Sequence, residues 1–183
     1  MIPSENIGTV LEDNTIVWKR QMSVNALDLW NAVATRQGLN HWFMPTRFEV
    51  TQGGRFSFEK GWDGIISDIT PRHHIQFDAD GGGGGYLRFE IEVNDHGCLF
   101  SLTDRMSEGL DAKLNFWPAT PLDHLHQPGG PGAHWNSVAA GYHRFVDSLE
   151  SHITGASVNS DYDELCDIYR AVLDDHYGPD VIQ

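Results

Sequence analysis

The chain has 183 residues, with 26 acidic and 12 basic side chains, and a formal net charge of −14. This length suits one domain with its own core, and a 40% apolar content is typical of globular proteins. The negative charge argues against nucleic acid or a membrane surface as a partner, because both would repel it.

The compartment can also be predicted from composition. No apolar run of the sequence reaches the length of a membrane span, and the first residues show no signal-peptide pattern. Cys98 and Cys166 follow no disulfide or metal spacing, which suits a reducing environment. We therefore expect a cytoplasmic protein.

The beginning of the chain predicts one strand and two short helices. Ile16 and Trp18 alternate with other residues in a strand over residues 14–24. Asn25 is a suitable N-cap for a helix that ends near residue 34. A second helix or turn covers residues 37–43 before Pro45 stops it.

From residue 47 the apolar pattern changes to a period of two. In residues 86–94, Leu87 and Phe89 point to one side while Arg88 and Glu90 point to the other. This alternation is typical of an antiparallel sheet with one solvated face. Six strands are predicted, over residues 47–50, 55–60, 64–70, 73–79, 86–94 and 98–104.

Residues 107–133 interrupt this pattern with four prolines and isolated apolar side chains. Irregular segments of this length are often lids or functional loops. We expect this segment to cover one end of a cavity, with Phe116 or Trp117 turned inward.

A long amphipathic helix is predicted over residues 134–153, with Gly155 as its C-cap. Its apolar stripe needs a broad apolar surface opposite it, which the sheet can supply. The stripe comprises Trp135, Val138, Ala139, Tyr142, Phe145, Val146, Leu149 and Ile153, and the other face carries Asn136, His143, Arg144, Asp147, Ser148 and Glu150.

After Gly155, a polar linker leads to an acidic amphipathic helix over residues 161–177, with Ser160 as the expected cap. A lone helix of this length is marginal in water, so it should dock on its own domain or on a second copy. A homodimer is therefore possible. Residues 155–183 are predicted as an appendage to a domain of residues 1–154.

Five motifs in order carry a resemblance to a known family. They are Trp30, residues 39–45, the Gly53-Gly54-Arg55-Phe56 turn, residues 64–71 and residues 132–135. With the order of elements, they make the chain similar to the START-like (SRPBCC, helix-grip) superfamily, and within it to the family named after the activator of the Hsp90 ATPase.

The resemblance covers about residues 14–154 and implies an α+β helix-grip fold, in which a curved antiparallel sheet grips the long helix around a cavity. Members are mostly binders of apolar or aromatic small molecules, with some cyclase-type enzymes and a branch that stimulates a chaperone. It therefore implies a small apolar ligand as partner, with a chaperone partner as an alternative.

The predicted ligand site lies between the sheet and the long helix, because rings on both surfaces offer stacking and dispersion but few charges. The Tyr142 hydroxyl is the one evident polar group that could orient a ligand. The predicted ligand-binding residues are Trp42, Phe56, Phe58, Trp62, Ile66, Leu87, Phe89, Phe100, Trp117, Trp135 and Tyr142.

Catalysis and metal binding have weaker support in the sequence. Asp68 could act as a general base with Tyr142 as a donor if its strand stays regular, but we favour the alternative that the strand has left the core by Asp68. His124, His126 and His134 match no established ligand spacing. We predict no metal, no cofactor and no catalytic residue.

Overall fold

The computed structural model describes residues 2–11, 15–58, 62–80, 85–105 and 132–178, with side chains of the last range from Asn136 onward. Eight strands and four α-helices lie in these ranges, after a single 3-10 turn at Ser4–Asn6. The elements are β1 (Thr9–Leu11), β2 (Thr15–Met22), α1 (Ala26–Val33), α2 (Arg36–Trp42), β3 (Thr46–Phe48), β4 (Arg55–Phe58), β5 (Trp62–Thr70), β6 (His74–Ala79), β7 (Tyr86–Asn94), β8 (Gly97–Arg105), α3 (Gly132–Thr154) and α4 (Tyr162–Tyr177).

All eight strands form one antiparallel sheet in the order β1-β2-β8-β7-β6-β5-β4-β3. With the helices, this confirms the predicted α+β helix-grip fold. Strand β1 was not predicted from the sequence, because three residues are too short to show alternation. None of the described helices is long and apolar enough to cross a membrane.

The inner face of the sheet, which the helices cover, is filled by aromatic rings. Neighbouring ring centroids lie 4.8 to 6.2 Å apart, mostly in tilted or edge-to-face geometry, which is the arrangement that ring quadrupoles favour. Each buried ring contributes roughly 1.5–3 kcal/mol of hydrophobic stabilisation. The group comprises Trp42, Phe43, Phe56, Phe58, Phe77, Phe89 and Phe100, none more than 6% exposed.

Helix α3 is covered on two sides. Phe145 contacts Phe43, the residue after α2, with ring centroids 4.7 Å apart, as the apolar stripe of α3 predicts. The polar face is not uniformly solvated, however, because Asn136, His143 and Asp147 are at most 3% exposed. Helix α4 packs on α3 in the same chain and covers these side chains.

A single hydroxyl group joins four parts of the chain at this contact. The backbone N–H of Gly8 and the indole Nε1–H of Trp18 both donate to the Tyr169 hydroxyl oxygen, at 2.9 and 2.6 Å. His143 Nδ1 lies 2.9 Å from the same oxygen. Because both lone pairs of the oxygen are used, its hydrogen must point to Nδ1. His143 therefore carries its own proton on Nε2.

Burial lowers the pKa of His143 and keeps the ring neutral, although the nearby Asp147 carboxylate opposes this shift. Its Nε2 lies 3.5 Å from Asp147 Oδ1. Arg20 of β2, which is 5% exposed, donates to Asp147 and to Glu150, both at 2.9 Å. The polar face of α3 thus has an ion-pair partner in β2 and a hydrogen-bond partner in α4.

The start of α4 also differs from the prediction. Asp161 caps the helix by accepting a hydrogen bond from the backbone N–H of Glu164 at 2.9 Å. Ser160 is not the cap, because its backbone N–H donates to Asp147 Oδ2 at 3.0 Å. At the end of α3, Gly155 has a φ of +73° and donates to Ser151 O, which confirms the predicted C-cap.

The substitution Tyr169→Phe should destabilise the protein by roughly 2–4 kcal/mol, because it leaves two buried N–H groups and one imidazole nitrogen without their partner. Urea denaturation of the full chain measures this loss. The matched control is Tyr162→Phe. That half-buried hydroxyl donates one hydrogen bond, to Ser137 O, and its length of 3.3 Å makes it weaker than those of Tyr169. Equal losses in the two variants would contradict the role given to Tyr169.

Candidate functional site

The structure buries most of the predicted ligand-binding residues on the inner face. Trp62 at the start of β5 is half-buried, and its ring centroid lies 5.3 Å from that of Phe58. Trp117 and the side chain of Trp135 lie outside the described residues. The buried members are Trp42, Phe56, Phe58, Ile66, Leu87, Phe89, Phe100 and Tyr142. Their role in binding stays a prediction, and many of them contact one another as core residues.

The inner face also carries a buried acid that the sequence analysis missed. Asp104 of β8 is 7% exposed and pairs in register with Ile16 of β2 and Leu87 of β7. It shares a side with Phe100 and Leu102, because side chains two residues apart lie on the same face of a strand. The alternation of β8 could have revealed it, since Asp104 continues the buried series.

Asp104 is hydrogen-bonded to the Tyr142 hydroxyl, which α3 presents to the sheet. Burial raises the pKa of Asp104 to about 7, although the Tyr142 hydrogen bond opposes the rise. Burial also raises the pKa of Tyr142 well above its ordinary value, and the Asp104 charge adds to this. The pair therefore combines a phenol that stays protonated with an acid that titrates near neutral pH.

This pair lies at one end of the sheet. Strand β8 ends at Arg105, where it pairs with Thr15 at the start of β2 and with Tyr86 at the start of β7. Helix α3 is the next described element along the chain after β8. The predicted lid falls on the residues between these two elements, which lie outside the described part of the chain.

Asp68, the sequence candidate for a general base, lies on the outer face of the sheet. A β-bulge between Ile66 and Asp68 shifts the register with β6, so two residues that should share a side do not. The Asp68 side chain is 48% exposed and lies 2.9 Å from His74 Nε2 and 3.1 Å from Arg88 Nη1. The His74 hydrogen bond lowers the pKa of Asp68, with Arg88 adding to it. Asp68 is therefore an ion-pair partner and not a buried base.

The outer face has its own groove, of about 650 Å³. Its lining mixes charged, hydroxyl and apolar side chains, so it does not match the apolar ligand predicted from the sequence. It includes Val17, Lys19, His74, Glu90, Ser101 and Thr103.

No group of three or more histidine, cysteine or carboxylate side chains able to hold a metal occurs in the described part of the chain. His124, His126 and the side chain of His134 fall outside that part. The Nδ1 atom of His143 accepts from Tyr169, and its Nε2 atom lies 3.5 Å from Asp147 Oδ1.

The antiparallel sheet and the long helix packed on it define a START-like, helix-grip protein. A sequence profile of the family described as "Activator of Hsp90 ATPase homolog 1-like protein" matches residues 23–153. The chain belongs to this family, which confirms the resemblance found in the sequence. No match was found among curated proteins.

Solved structures show the same fold at low sequence identity. The crystal structure of CalU16 from Micromonospora echinospora is 14% identical, with a TM-score of 0.63, over 87% of this chain and 88% of that one. EF2215 from Enterococcus faecalis, a conserved protein of unknown function, is 17% identical with a TM-score of 0.64, over 92% and 90% of the two chains. DynU16, described as a putative protein in the dynemicin biosynthetic locus, is 17% identical with a TM-score of 0.58, over 80% and 50%.

The pKa of Asp104 predicts the pH dependence of stability. A carboxyl whose pKa rises from 3.8 to about 7 on folding binds more protons in the folded state, so stability falls as pH rises between these values. At about 1.4 kcal/mol per pKa unit, the wild-type loss between roughly pH 5.5 and 8.5 is about 2 kcal/mol. Asp104→Asn should lack this loss, because the amide does not ionise.

Urea denaturation of both proteins across this pH range measures the difference. His143 acts in the opposite direction, because its lowered pKa makes stability fall as pH drops below its unfolded value of 6.5. That contribution is common to both proteins and cancels in the comparison. A constant difference between Asp104→Asn and wild type across the range would contradict a titrating Asp104.

Proposed function

We propose that this protein binds a small, largely apolar or aromatic molecule between the inner face of the sheet and α3, at the end that carries Asp104 and Tyr142. The observation that carries the proposal is this buried acid–phenol pair on a largely apolar surface. A buried polar group is costly unless it is satisfied, so a domain held together by packing alone has no need of it. Its position fits a group that orients a ligand.

The comparisons support a small molecule as the partner without identifying it. DynU16 is described as belonging to a biosynthetic locus, and this chain shares its fold. Pockets for small molecules are typically apolar with a few placed polar groups, and the described inner face has this character. A chaperone partner, suggested by the family description, and a homodimer stay predictions.

A bulky side chain next to the pair should block the ligand. Val138 lies one helical turn before Tyr142 on α3, on the same side, and is 9% exposed. Val138→Trp should lower the affinity for naphthalene-type probes by at least about tenfold, a difference of about 1.4 kcal/mol. Isothermal titration calorimetry measures this directly.

The matched control is Val93→Trp, which places the same side chain at a position that is 64% exposed on β7. It should bind as wild type does. Native mass spectrometry of protein purified from its own host provides a second measurement, because a co-purified apolar molecule should be lost in Val138→Trp. Absence of probe binding and of any bound molecule in the wild type would contradict the proposed function.

One observation favours a second candidate, an enzyme of the cyclase type. A carboxyl with a pKa of about 7 lies in the range that suits general acid–base catalysis at neutral pH. As the base, ionised Asp104 would take a proton from the carbon beside a ligand carbonyl, and the single O–H of Tyr142 would turn from Asp104 to the developing oxygen anion. The C–H bond electrons then form the enolate, and reversal returns a proton to carbon.

This candidate predicts solvent exchange in a bound ketone. In D₂O, the acetyl protons of 2-acetylnaphthalene should exchange faster with the wild type than with Asp104→Asn, and faster as pH rises through 7, because the ionised form is the base. Proton NMR follows the exchange. No acceleration over buffer would remove the catalytic candidate and leave the binding proposal intact.

A further inference from the structure

We infer that the Asp104–Tyr142 pair selects ligands with an uncharged hydrogen-bond acceptor, a carbonyl oxygen on an apolar or aromatic frame, and rejects carboxylates. This inference rests on the proposed function, because it names the polar group of the ligand for the same site. It adds the chemistry by which the site would distinguish two apolar molecules of equal shape.

The neighbours of Asp104 favour its uncharged form. On the described strands beside it, the register partners are Ile16 and Leu87, which do not ionise. Among the described side chains of α3, Tyr142 contacts it with a neutral phenol. A buried carboxylate requires a cation or several donors to be stable. The apolar neighbours supply neither.

The described arginines that are buried or half-buried are Arg20, Arg88 and Arg105. Arg105 directly follows Asp104 in β8, so its side chain lies on the opposite face of the sheet. Arg20 donates to Asp147 and Glu150, on the side of α3 that faces α4. Arg88 lies on the outer face, 3.1 Å from Asp68 and 3.2 Å from Glu90. A carboxylate ligand at the pair would therefore meet an acid and a phenol, and would lose its hydration without gaining any of these three arginines.

The hydrogen-bond capacity of the pair defines what it can offer. Tyr142 has one O–H, which it donates to the Asp104 carboxyl group. Protonated Asp104 has an O–H of its own, which an acceptor on the ligand can take. A ketone, quinone or ester carbonyl accepts this hydrogen without bringing a charge. The two consecutive hydrogen bonds, from Tyr142 to Asp104 and from Asp104 to the ligand, also polarise and strengthen each other.

The pH dependence follows from the same arrangement. When Asp104 ionises it loses the donor, so the extra affinity for a carbonyl should disappear as pH rises above the pKa of about 7. Tyr142 does not titrate in this range, because its pKa lies well above the ordinary value. A ligand of the same shape without an acceptor should show no such dependence.

Three probes of matched shape test the inference on the full chain. They are 2-acetylnaphthalene, with a carbonyl, 2-isopropenylnaphthalene, with a carbon–carbon double bond in the same place, and 2-naphthoate. Near pH 6, the wild type should bind the ketone at least about tenfold more tightly than the alkene, as one good hydrogen bond provides. The naphthoate should bind most weakly.

The pH profile is the second readout. The preference for the ketone over the alkene should fall toward unity between about pH 7 and 9, by up to tenfold per pH unit. Asp104→Asn should keep part of the preference at all pH values, because its amide N–H still donates but does not titrate. Asp68→Asn, a matched change on the outer face, should behave as wild type does.

The outcomes separate this inference from the function on which it rests. If none of the probes binds the wild type, the proposed function fails. If ketone and alkene bind equally at every pH, the binding site stands and the inference is overturned. Tighter binding of the naphthoate, or a pH profile that Asp104→Asn leaves unchanged, overturns it as well. The wild-type profile alone decides the matter if a variant does not fold.

Discussion

The position of α3 depends on the pairing of its buried polar face. His143 and Asp147 are almost fully covered, so their hydrogen-bonding groups must find partners within the protein. Tyr169 of α4 and Arg20 of β2 supply them from opposite directions. Removing one partner of such a network leaves a buried charge or donor without a partner in apolar surroundings, which costs several kcal/mol. Helix α3 is therefore fixed between the sheet and α4.

That placement has a consequence on the other side of the same helix. Tyr142 precedes His143 in sequence, so the two side chains point in different directions, and Tyr142 meets the sheet at Asp104. The two buried polar clusters differ in chemistry. The Tyr169 hydroxyl uses its hydrogen and both lone pairs within the protein. Asp104 instead can lose a proton near neutral pH, because burial raises its pKa to about 7.

Much of the fold could be predicted because the apolar pattern in this chain is regular. Leu87 and Phe89 alternate with charged residues in β7, and each lies on the predicted face. Where that regularity breaks, the sequence left two alternatives open. The bulge after Ile66 turns Asp68 outward, which agrees with the favoured alternative that the strand has left the core there, although nothing in the local sequence indicates the bulge itself. The burial of Asn136, His143 and Asp147 could not be predicted either, because it depends on where α4 packs.

The acid of the candidate site could be predicted only in part from the sequence. The sequence offered a carboxylate beside the apolar interior, with Tyr142 as its donor, only as the less favoured alternative for Asp68, and the structure contains this combination with Asp104 as the acid. Asp104 was overlooked because an acid at the end of a strand is usually solvated. Asp104 nevertheless lies an even number of residues from Phe100 and Leu102, which predicts that its side chain lies on their side of the strand. A charged residue that keeps the buried parity of its strand is thus expected inside the fold, where it needs a partner, as Arg20 in β2 finds Asp147 and Asp104 in β8 finds Tyr142.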